Sequence, residues 1–547
     1  MTDLKPDRAV YAGRKPEMNH PLQGLEKSLK MAGGMNRRIW LAYCSALASM
    51  TAFQQRTEAR VVRQPKFEAD PFAVGVASGD PSSSGFVIWS RLAPKPLEAS
   101  GGMGPDLVEV SWAVAEDEGM KKVVRQGKVL ATPQLGHSIH VEVEGLKPSA
   151  WYYYQFTAGD AKSRVGRSRT TPARDVLADQ LKFAFASCQH YEQGYFTAYA
   201  DMLKQSPDLV VHLGDYIYEY KGKDNLVRKH QGDEIQSIDD YRIRHSQYHL
   251  DEHLAAMHAA CPWLVTWDDH EFDNNCAGDI SEEKGVDTIS YLKRRANAYQ
   301  AYYEMMPLRR RSIPQGPDML LYRSVAFGQL ASFLVLDTRQ YRTDQPNGDR
   351  SSPLNDEARK PTNSLLGSRQ GGWLKSNLLQ STSQWNILAQ QVMMGVANIS
   401  RTEQAAYSMD QWPGALAERE SLMDFIASRR VPNPVVLTGD IHSNWVNDLH
   451  VDDTMPETPV IATEFVGTSI SSGGNGSAVV PNLDKFKSRN PGVKYFNTQR
   501  GYVLCTVTSE TWRSDYRIVD KVTEKDGQVS TGASFIVESD KPGAKNA

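Results

Sequence analysis

Asp215 and Tyr218 stand just past a short apolar run, within the stretch Leu209 to Tyr220, LVVHLGDYIYEY. The run reads as a buried strand. It stops at Gly214, where a sharp turn and close approach of a ligand are allowed. A carboxylate and a phenol three residues apart on the loop leaving such a strand can reach one point in space. Both are hard oxygen donors, which select hard cations.

Other apolar runs end in the same way. Lys182–Ser187 ends at Cys188, Trp263–Trp267 at Asp268-Asp269-His270-Glu271, and Ala331–Leu336 at Asp337-Thr338-Arg339. Trp385–Ala389 ends at Gln390-Gln391, and Val435–Thr438 at Gly439-Asp440-Ile441-His442. One polar strand end is an ordinary turn or cap; so many acidic and histidine ends form a set. In open α/β sheets, ligands bind outside the carboxyl ends of strands. The candidate cluster is Cys188, Asp215, Tyr218, Asp269, Asp440 and His442. It is too rich in anionic oxygen for a structural zinc site. The phenolate favours a trivalent cation such as Fe³⁺, and the remaining carboxylates suit a second hard ion, Ca²⁺ or Mn²⁺. Asp215 is the natural carboxylate to be shared. Two metals roughly 3.5–4 Å apart are the usual device for in-line hydrolysis of phosphate esters.

The elements that must position these residues follow from texture. From Phe72 to about Thr171 the chain is β: Val108–Val114 and His137–Val143 alternate apolar and polar, and Trp151–Phe156 is an aromatic strand after a turn. Short strands with frequent turns predict a fibronectin- or immunoglobulin-like β-sandwich over residues 72–172. Residues 178–520 alternate strands with helices, the texture of a layered α/β domain with a large central sheet. Further strands are expected at Leu209–Leu213, Ile461–Val466 and Tyr502–Val507. Helices are expected at Tyr195–Gln205, Asp239–His258, Thr288–Met305, Ser368–Leu379 and Ala415–Ser428. His245, His249 and His253 share one face of the second of these, read as a solvated face rather than a metal stripe. Gly467 to Gly476, GTSISSGGNG, is read as a flexible loop, and residues 521–547 as a polar tail that covers the site or is disordered.

The chain has 547 residues, 40% of them hydrophobic and 23% charged, with a formal net charge of −3. These values exclude partnership with nucleic acid or membrane through bulk charge. Five cysteines do not make a disulfide framework; Cys261 and Cys276 either pair or are separate buried thiols. Residues 1–36 read as a polar extension. Arg37-Arg38 opens an apolar segment, residues 37–56, that resembles a twin-arginine export signal, with Ala46-Leu47-Ala48 as a cleavage site. A start at Met35 would make that signal compact. The expected product is a folded protein exported through the twin-arginine machinery to the periplasm or beyond. Residues 57–71 read as a linker, and nothing after the signal is long enough to span a membrane.

Five ordered motifs carry a family resemblance: FASCQ (Phe185–Gln189), HLGDYIYEY (His212–Tyr220), TWDDHEFDNN (Thr266–Asn275), LDTRQYR (Leu336–Arg342) and TGDIHSN (Thr438–Asn444). Together with GVASGDP (Gly75–Pro81), they resemble the alkaline phosphatase D family of secreted phosphodiesterase/phosphomonoesterases, distant relatives of purple acid phosphatases. The likeness runs from about Phe72 to Val537. It implies a metallophosphoesterase sandwich of β-sheets flanked by helices, with an Fe³⁺ and calcium centre. By the same likeness Cys188, Asp215, Tyr218 and His442 hold iron, while Asp269 and Asp440 fall on the divalent ion. His270 stays near the leaving group. Gln390 and Gln391 stand where purple phosphatases carry another histidine motif.

The expected mechanism is attack on phosphorus by a metal-bound hydroxide. His270 stabilises charge or protonates the leaving oxygen. Arg339 either forks onto a phosphate oxygen or forms an ion pair at its strand end. Asn275 and Asn444 order a ligand or bond phosphate. The expected substrates are small phosphate esters. Two alternatives are a phospholipase-type phosphodiesterase acting on lipid head groups and a non-catalytic secreted binding module.

Overall fold

The computed structural model describes residues 60–547, so the signal segment 37–56 and the extension before it lie outside the described residues. An N-terminal β-sandwich is followed by a region of mixed sheets and helices. One leaf of the sandwich is a six-stranded sheet built on Leu107–Ala115 and Trp151–Ala158, antiparallel to each other. Alternating burial along Trp151–Ala158 places Tyr152, Tyr154 and Phe156 inward, as the aromatic pattern requires. Part of the expected linker joins this leaf, since Val61–Val62 pairs with Leu107-Val108.

The other leaf consists of Val76–Ser82, Gly85–Arg91 and Ser138–Val143, and it does not stop at the sandwich. Ser78 and Gly79 pair with Pro262 and Trp263, making these strands one side of a ten-stranded sheet. In that sheet Leu181–Ala186, Leu209–His212 and Pro262–Val265 run parallel. A seven-stranded sheet faces it, with Ala331–Val335, Trp385–Ala389, Pro434–Thr438 and Ala462–Val466 parallel at its centre. Phe183, Phe185, Val211 and Leu264 from one sheet meet Phe333, Ile387, Val435 and Phe465 from the other in an apolar core. Helices Thr197–Gln205, Ile238–His249, Glu252–Ala260 and Thr288–Met305 cover the outside of the first sheet. Gly367–Gln380 and Leu416–Ser428 cover the second. The parallel strands are mainly apolar because both of their faces are covered, with polar residues such as Lys182, Asn386 and Glu464 as exceptions.

The GVASGDP motif is tied to the site through this continuous sheet. Arg323 Nε donates to the buried Asp80 Oδ1 at 2.7 Å, and Arg323 Nη2 donates to Val265 O at 3.0 Å, at the end of the strand that delivers Asp268 to Glu271.

Four expectations are corrected. The helix expected over Asp239–His258 is two helices: Asp251 Oδ1 accepts from the N–H of His253 and Leu254, capping a new helix and ending the old one. The three histidines therefore do not share one helix, and their face is not solvated. His245 and His249 are buried, His249 beside Trp89 and near the Tyr216 hydroxyl. The loop at Gly467 is buried from Thr468 to Ser472 rather than flexible in its surroundings. The polar end of the chain is neither a tail nor a cover. Val529–Glu538 and Lys541–Asn546 extend the ten-stranded sheet at the edge opposite the sandwich, half-buried with weak apolar alternation.

The buried histidines make stability pH-dependent. His258 stacks on Trp263 at 3.8 Å, with Nε2 2.8 Å from the Tyr216 hydroxyl, and burial, then His249 and His212, holds it well below its ordinary range. A depressed histidine is neutral when folded and charges when unfolded. Its contribution is complete above about pH 6.5 and is lost as pH falls. In His258→Gln the fall in unfolding free energy below pH 6.5 should be shallower than in the parent by about 1.4 kcal/mol per pH unit. Denaturant titrations at pH 7.5, 6 and 5 measure this; equal slopes would refute it.

Candidate metal centre

The carboxyl ends of the parallel strands of both sheets converge. One ligand atom each from Cys188, Asp215 and His442 lie within 4.8 Å of one another. The same holds for Asp215, Asp269 and His270, and for Asp268, Asp269 and Asp440. Asp215 and Asp269 each belong to two groups, so the three groups form one continuous centre. Tyr218 joins it: its Oη lies 3.0 Å from Asp215 Oδ2 and 3.3 Å from His442 Nε2. The six side chains expected at the strand ends are thus brought together. The loops that carry them are pressed close: a Cβ at Gly214 would strike the Asp268 backbone, and one at Gly439 would strike the Ser187 side chain.

Four of these six residues adopt the left-handed backbone region: Cys188 (φ 58°), Asp215 (54°), Asp440 (62°) and His442 (50°). Each costs about 1–2 kcal/mol in a residue with a Cβ. Such strain persists only where the surroundings impose it, and it gathers at functional sites. Here the surroundings are identifiable. Glu271 accepts the N–H of Asp215, Tyr216 and Asp268 at 2.7–2.9 Å, binding two ligand loops to one carboxylate.

The electrostatics fit a bound cation. Burial pushes Asp215 and Asp268 well above the usual carboxylate range, with neighbouring carboxylates adding to the shift. Burial, with Asp410 and Asp269, raises Asp440 to about 6 against the pull of Arg339. For Asp269, burial is outweighed by Arg339, His270 and the Asn275 N–H, which hold it below the usual range. Asp215 Oδ1, Asp268 Oδ2 and Asp269 Oδ1 are buried with no hydrogen-bond donor. Buried anionic oxygens without donors are costly unless a cation satisfies them. The donor set therefore fits metal ions: thiolate, phenolate, imidazole and carboxylate at one end, carboxylates alone at the other.

Arg339 is 1% exposed and lies among the carboxylates. Its Nε pairs with Asp268, Nη1 with Asp410 at 2.8 Å, and Nη2 with Asp440 at 3.3 Å and Asp269 at 3.7 Å. Its donors are engaged, which is the ion-pair arrangement rather than a fork held open for phosphate. His270 Nδ1 lies 2.9 Å from Glu219 Oε2, and its ring stacks on Tyr218 at 4.3 Å. The charges of Glu219, Asp269 and Asp215 overcome burial and hold His270 well above its ordinary range. Asn275 N donates to Asp269 Oδ2 at 2.7 Å, fixing that carboxylate. Asn444 points away from the centre: its Oδ1 accepts from Thr468 N at 3.2 Å and its Nδ2 donates to Gln499 O at 3.1 Å. Gln390 and Gln391 are saturated by Trp412, Thr438, Thr338 and Thr266, and they lace strand ends together.

Sequence reasoning assigned no role to Asp268, Glu219, Glu271, Asp410, Gln411 or Ser472. The first three lie inside the quoted motifs, so their proximity was visible but their partners were not. Asp410 and Gln411 sit in a loop without periodicity; Gln411 Nε2 donates to Asp440 Oδ2 at 2.5 Å. A further group, His190, Glu192 and His230, is paired mostly within its own loop, although Glu192 Oε2 is buried without a hydrogen-bond donor, 3.4 Å from His230 Nδ1. Glu192 Oε1 accepts the N–H of Lys223 and His230 at 2.7 and 3.0 Å, His190 Nδ1 accepts from Glu192 N, and His230 Nε2 meets the Tyr248 hydroxyl. It braces the loop after Tyr220.

Comparison with known proteins agrees with this geometry. The model of the PhoD-like phosphatase family matches residues 183–516, and that of the PhoD-like phosphatase N-terminal domain matches residues 56–172. Alkaline phosphatase D of Bacillus subtilis (strain 168) is 51% identical over 486 residues, 88% of this chain and 83% of that protein. A solved structure of PhoD is similar with a TM-score of 0.86 at 50% identity, over 88% of this chain and 93% of that one.

Proposed function

The chain belongs to the PhoD-like alkaline phosphatase family, a family of metal-dependent phosphoesterases, and from that premise we propose that it hydrolyses both phosphomonoesters and phosphodiesters at the strand-end centre. The observation that carries the reading is the trio of buried, donor-free carboxylate oxygens on Asp215, Asp268 and Asp269, set beside Cys188, Tyr218 and His442. Cys188, Asp215, Tyr218 and His442 would hold Fe³⁺; Asp215, Asp268, Asp269 and Asp440 would hold calcium, with Mn²⁺ the alternative. When bound, such metals supply Lewis acidity, lowering the pKa of water and neutralising charge on phosphoryl oxygens.

The chain's own residues do the rest. His270 offers a proton to the leaving oxygen from the ring nitrogen that Glu219 does not hold. Glu219 fixes the ring's orientation and tautomer. Arg339 keeps four carboxylates in register when substrate adds negative charge nearby. Small phosphate esters are the expected substrates. The N-terminal segment with Arg37-Arg38 supports export in folded form and release of phosphate outside the cytoplasm. No helix among the described residues is long and apolar enough to cross a membrane.

The test is elemental analysis of the purified protein, with assays on mono- and bis-p-nitrophenyl phosphate before and after chelation. Iron and a divalent ion should be found, both esters should be cleaved, and chelation should lower kcat/KM by at least ~10³-fold, restored by the metals. Full activity in metal-free protein, or no turnover of either ester by metal-replete protein, would overturn the reading. Phosphatidylcholine vesicles as a third substrate test the lipid-directed alternative.

A further inference from the structure

The buried serine loop has a purpose that the ligand list does not absorb. Ser472 Oγ lies 2.6 Å from Tyr218 Oη and 2.8 Å from Cys188 O, and it accepts from His190 N at 3.2 Å. The same loop surrounds the backbone of Cys188. Ser471 N and Ser472 N both donate to Cys188 O, at 3.4 and 3.3 Å. Ile470 N donates to Ser187 O, and Ser471 Oγ donates to His190 O at 2.9 Å. Ser469 Oγ closes the turn on Ser472 O at 2.7 Å. The loop is braced from behind by Asn444 on Thr468 N and by Arg500, which reaches Gly474 O and His442 O.

We propose that Ser472 is a positioning residue of the metal centre, its single hydroxyl fixing Tyr218 and Cys188 together as ligands of one metal. The inference rests on the proposed function, in which those two side chains share an ion. Three polar groups surround Tyr218 Oη: Asp215 Oδ2, His442 Nε2 and Ser472 Oγ. The first two belong to candidate ligands. Ser472 alone has a proton to give once the phenol oxygen serves as a ligand and carries none. A hydroxyl has one proton and two lone pairs. With His190 N–H donating to it, the Ser472 proton is shared between Cys188 O and Tyr218 Oη. A charged phenolate oxygen is the stronger acceptor. Cys188 needs such support because its left-handed backbone is imposed from outside, and the loop places the N–H groups of Ser471 and Ser472 on its carbonyl with the Ser472 hydroxyl 2.8 Å away. One residue thus restrains the ring oxygen of one ligand and the main chain of another.

The experiment uses Ser472→Ala and Ser472→Thr in the full chain, loaded with iron and calcium. Iron and calcium retained after timed exposure to EDTA are measured by elemental analysis, and thermal unfolding of the stripped proteins is compared. Partners that orient a metal's ligands typically contribute 10–100-fold in metal affinity. Ser472→Ala should therefore lose iron ~10–100 times more readily than the parent, while calcium retention and the stripped protein's melting stay unchanged. Ser472→Thr, which keeps the hydroxyl, should retain iron. Parent-like iron retention in Ser472→Ala overturns the proposal. So does loss of both metals accompanied by lower melting of the stripped protein, which would mark a merely structural role. If the parent itself holds no metal, the proposed function fails and this inference with it; a metal-replete parent beside an unaffected Ser472→Ala sinks this inference alone.

Discussion

Asp215→Asn should abolish metal loading and turnover together, with kcat/KM falling by at least ~10³-fold. Asp215 is shared between the thiolate–imidazole group and the group containing Asp269 and His270, so its loss reaches both ends of the centre. The amide has the carboxylate's shape but no charge, and its NH₂ presents protons where a cation must sit. The negative charge at the donor-free Oδ1, which a cation would balance, is lost. The fold should survive, because the loop's backbone is held by the N–H groups of Asp215 and Tyr216 on Glu271, and the bond that the Asp215 side chain accepts from Tyr218 Oη is one the amide oxygen can still accept. Circular dichroism should therefore match the parent while elemental analysis and bis-p-nitrophenyl phosphate turnover collapse. Parent-like turnover would remove the centre from the mechanism.

His270→Ala should lower kcat by ~10²–10⁴-fold on alkyl phosphate esters and markedly less on p-nitrophenyl esters. A proton donor matters in proportion to how badly the leaving oxygen needs the proton, and p-nitrophenolate departs readily without one. The ring is not free to serve as an ordinary ligand at both nitrogens: Nδ1 is committed to Glu219 at 2.9 Å, and the face is stacked on Tyr218. Glu219→Gln should show the same leaving-group dependence with a smaller loss, since the amide still accepts at one atom but carries no charge. Equal losses on both ester types would instead assign His270 to phosphate binding or metal support.

Much of this was legible in the chain. Thr288–Met305 and Trp385–Ala389 form the expected elements at the expected bounds, because each is a patterned segment, the strand apolar but for Asn386, bounded by stop signals. The break at Asp251 was not legible: a polar residue inside a helical pattern becomes a cap only if its side chain turns back on the next N–H groups. Nor were the last two strands, which carry few buried residues beyond Phe535 and Val537 and obtain their order from pairing, Val529–Glu538 with Thr511–Val519 and Lys541–Asn546 with Val529–Glu538.

The sequence by itself determined which chemical groups are available and that they stand at strand ends, because both facts are local: a residue type, and its position after an apolar run. It also carried the family likeness, since that too is order and spacing. Only the tertiary structure decided what each group does with its neighbours. Arg339 meets carboxylates from three other loops, the serine loop closes on Cys188 O, and four candidate-ligand backbones are held left-handed. Those outcomes depend on contacts between residues tens to hundreds of positions apart, where the energy of a buried charge or a strained backbone is set by whichever partner the fold delivers.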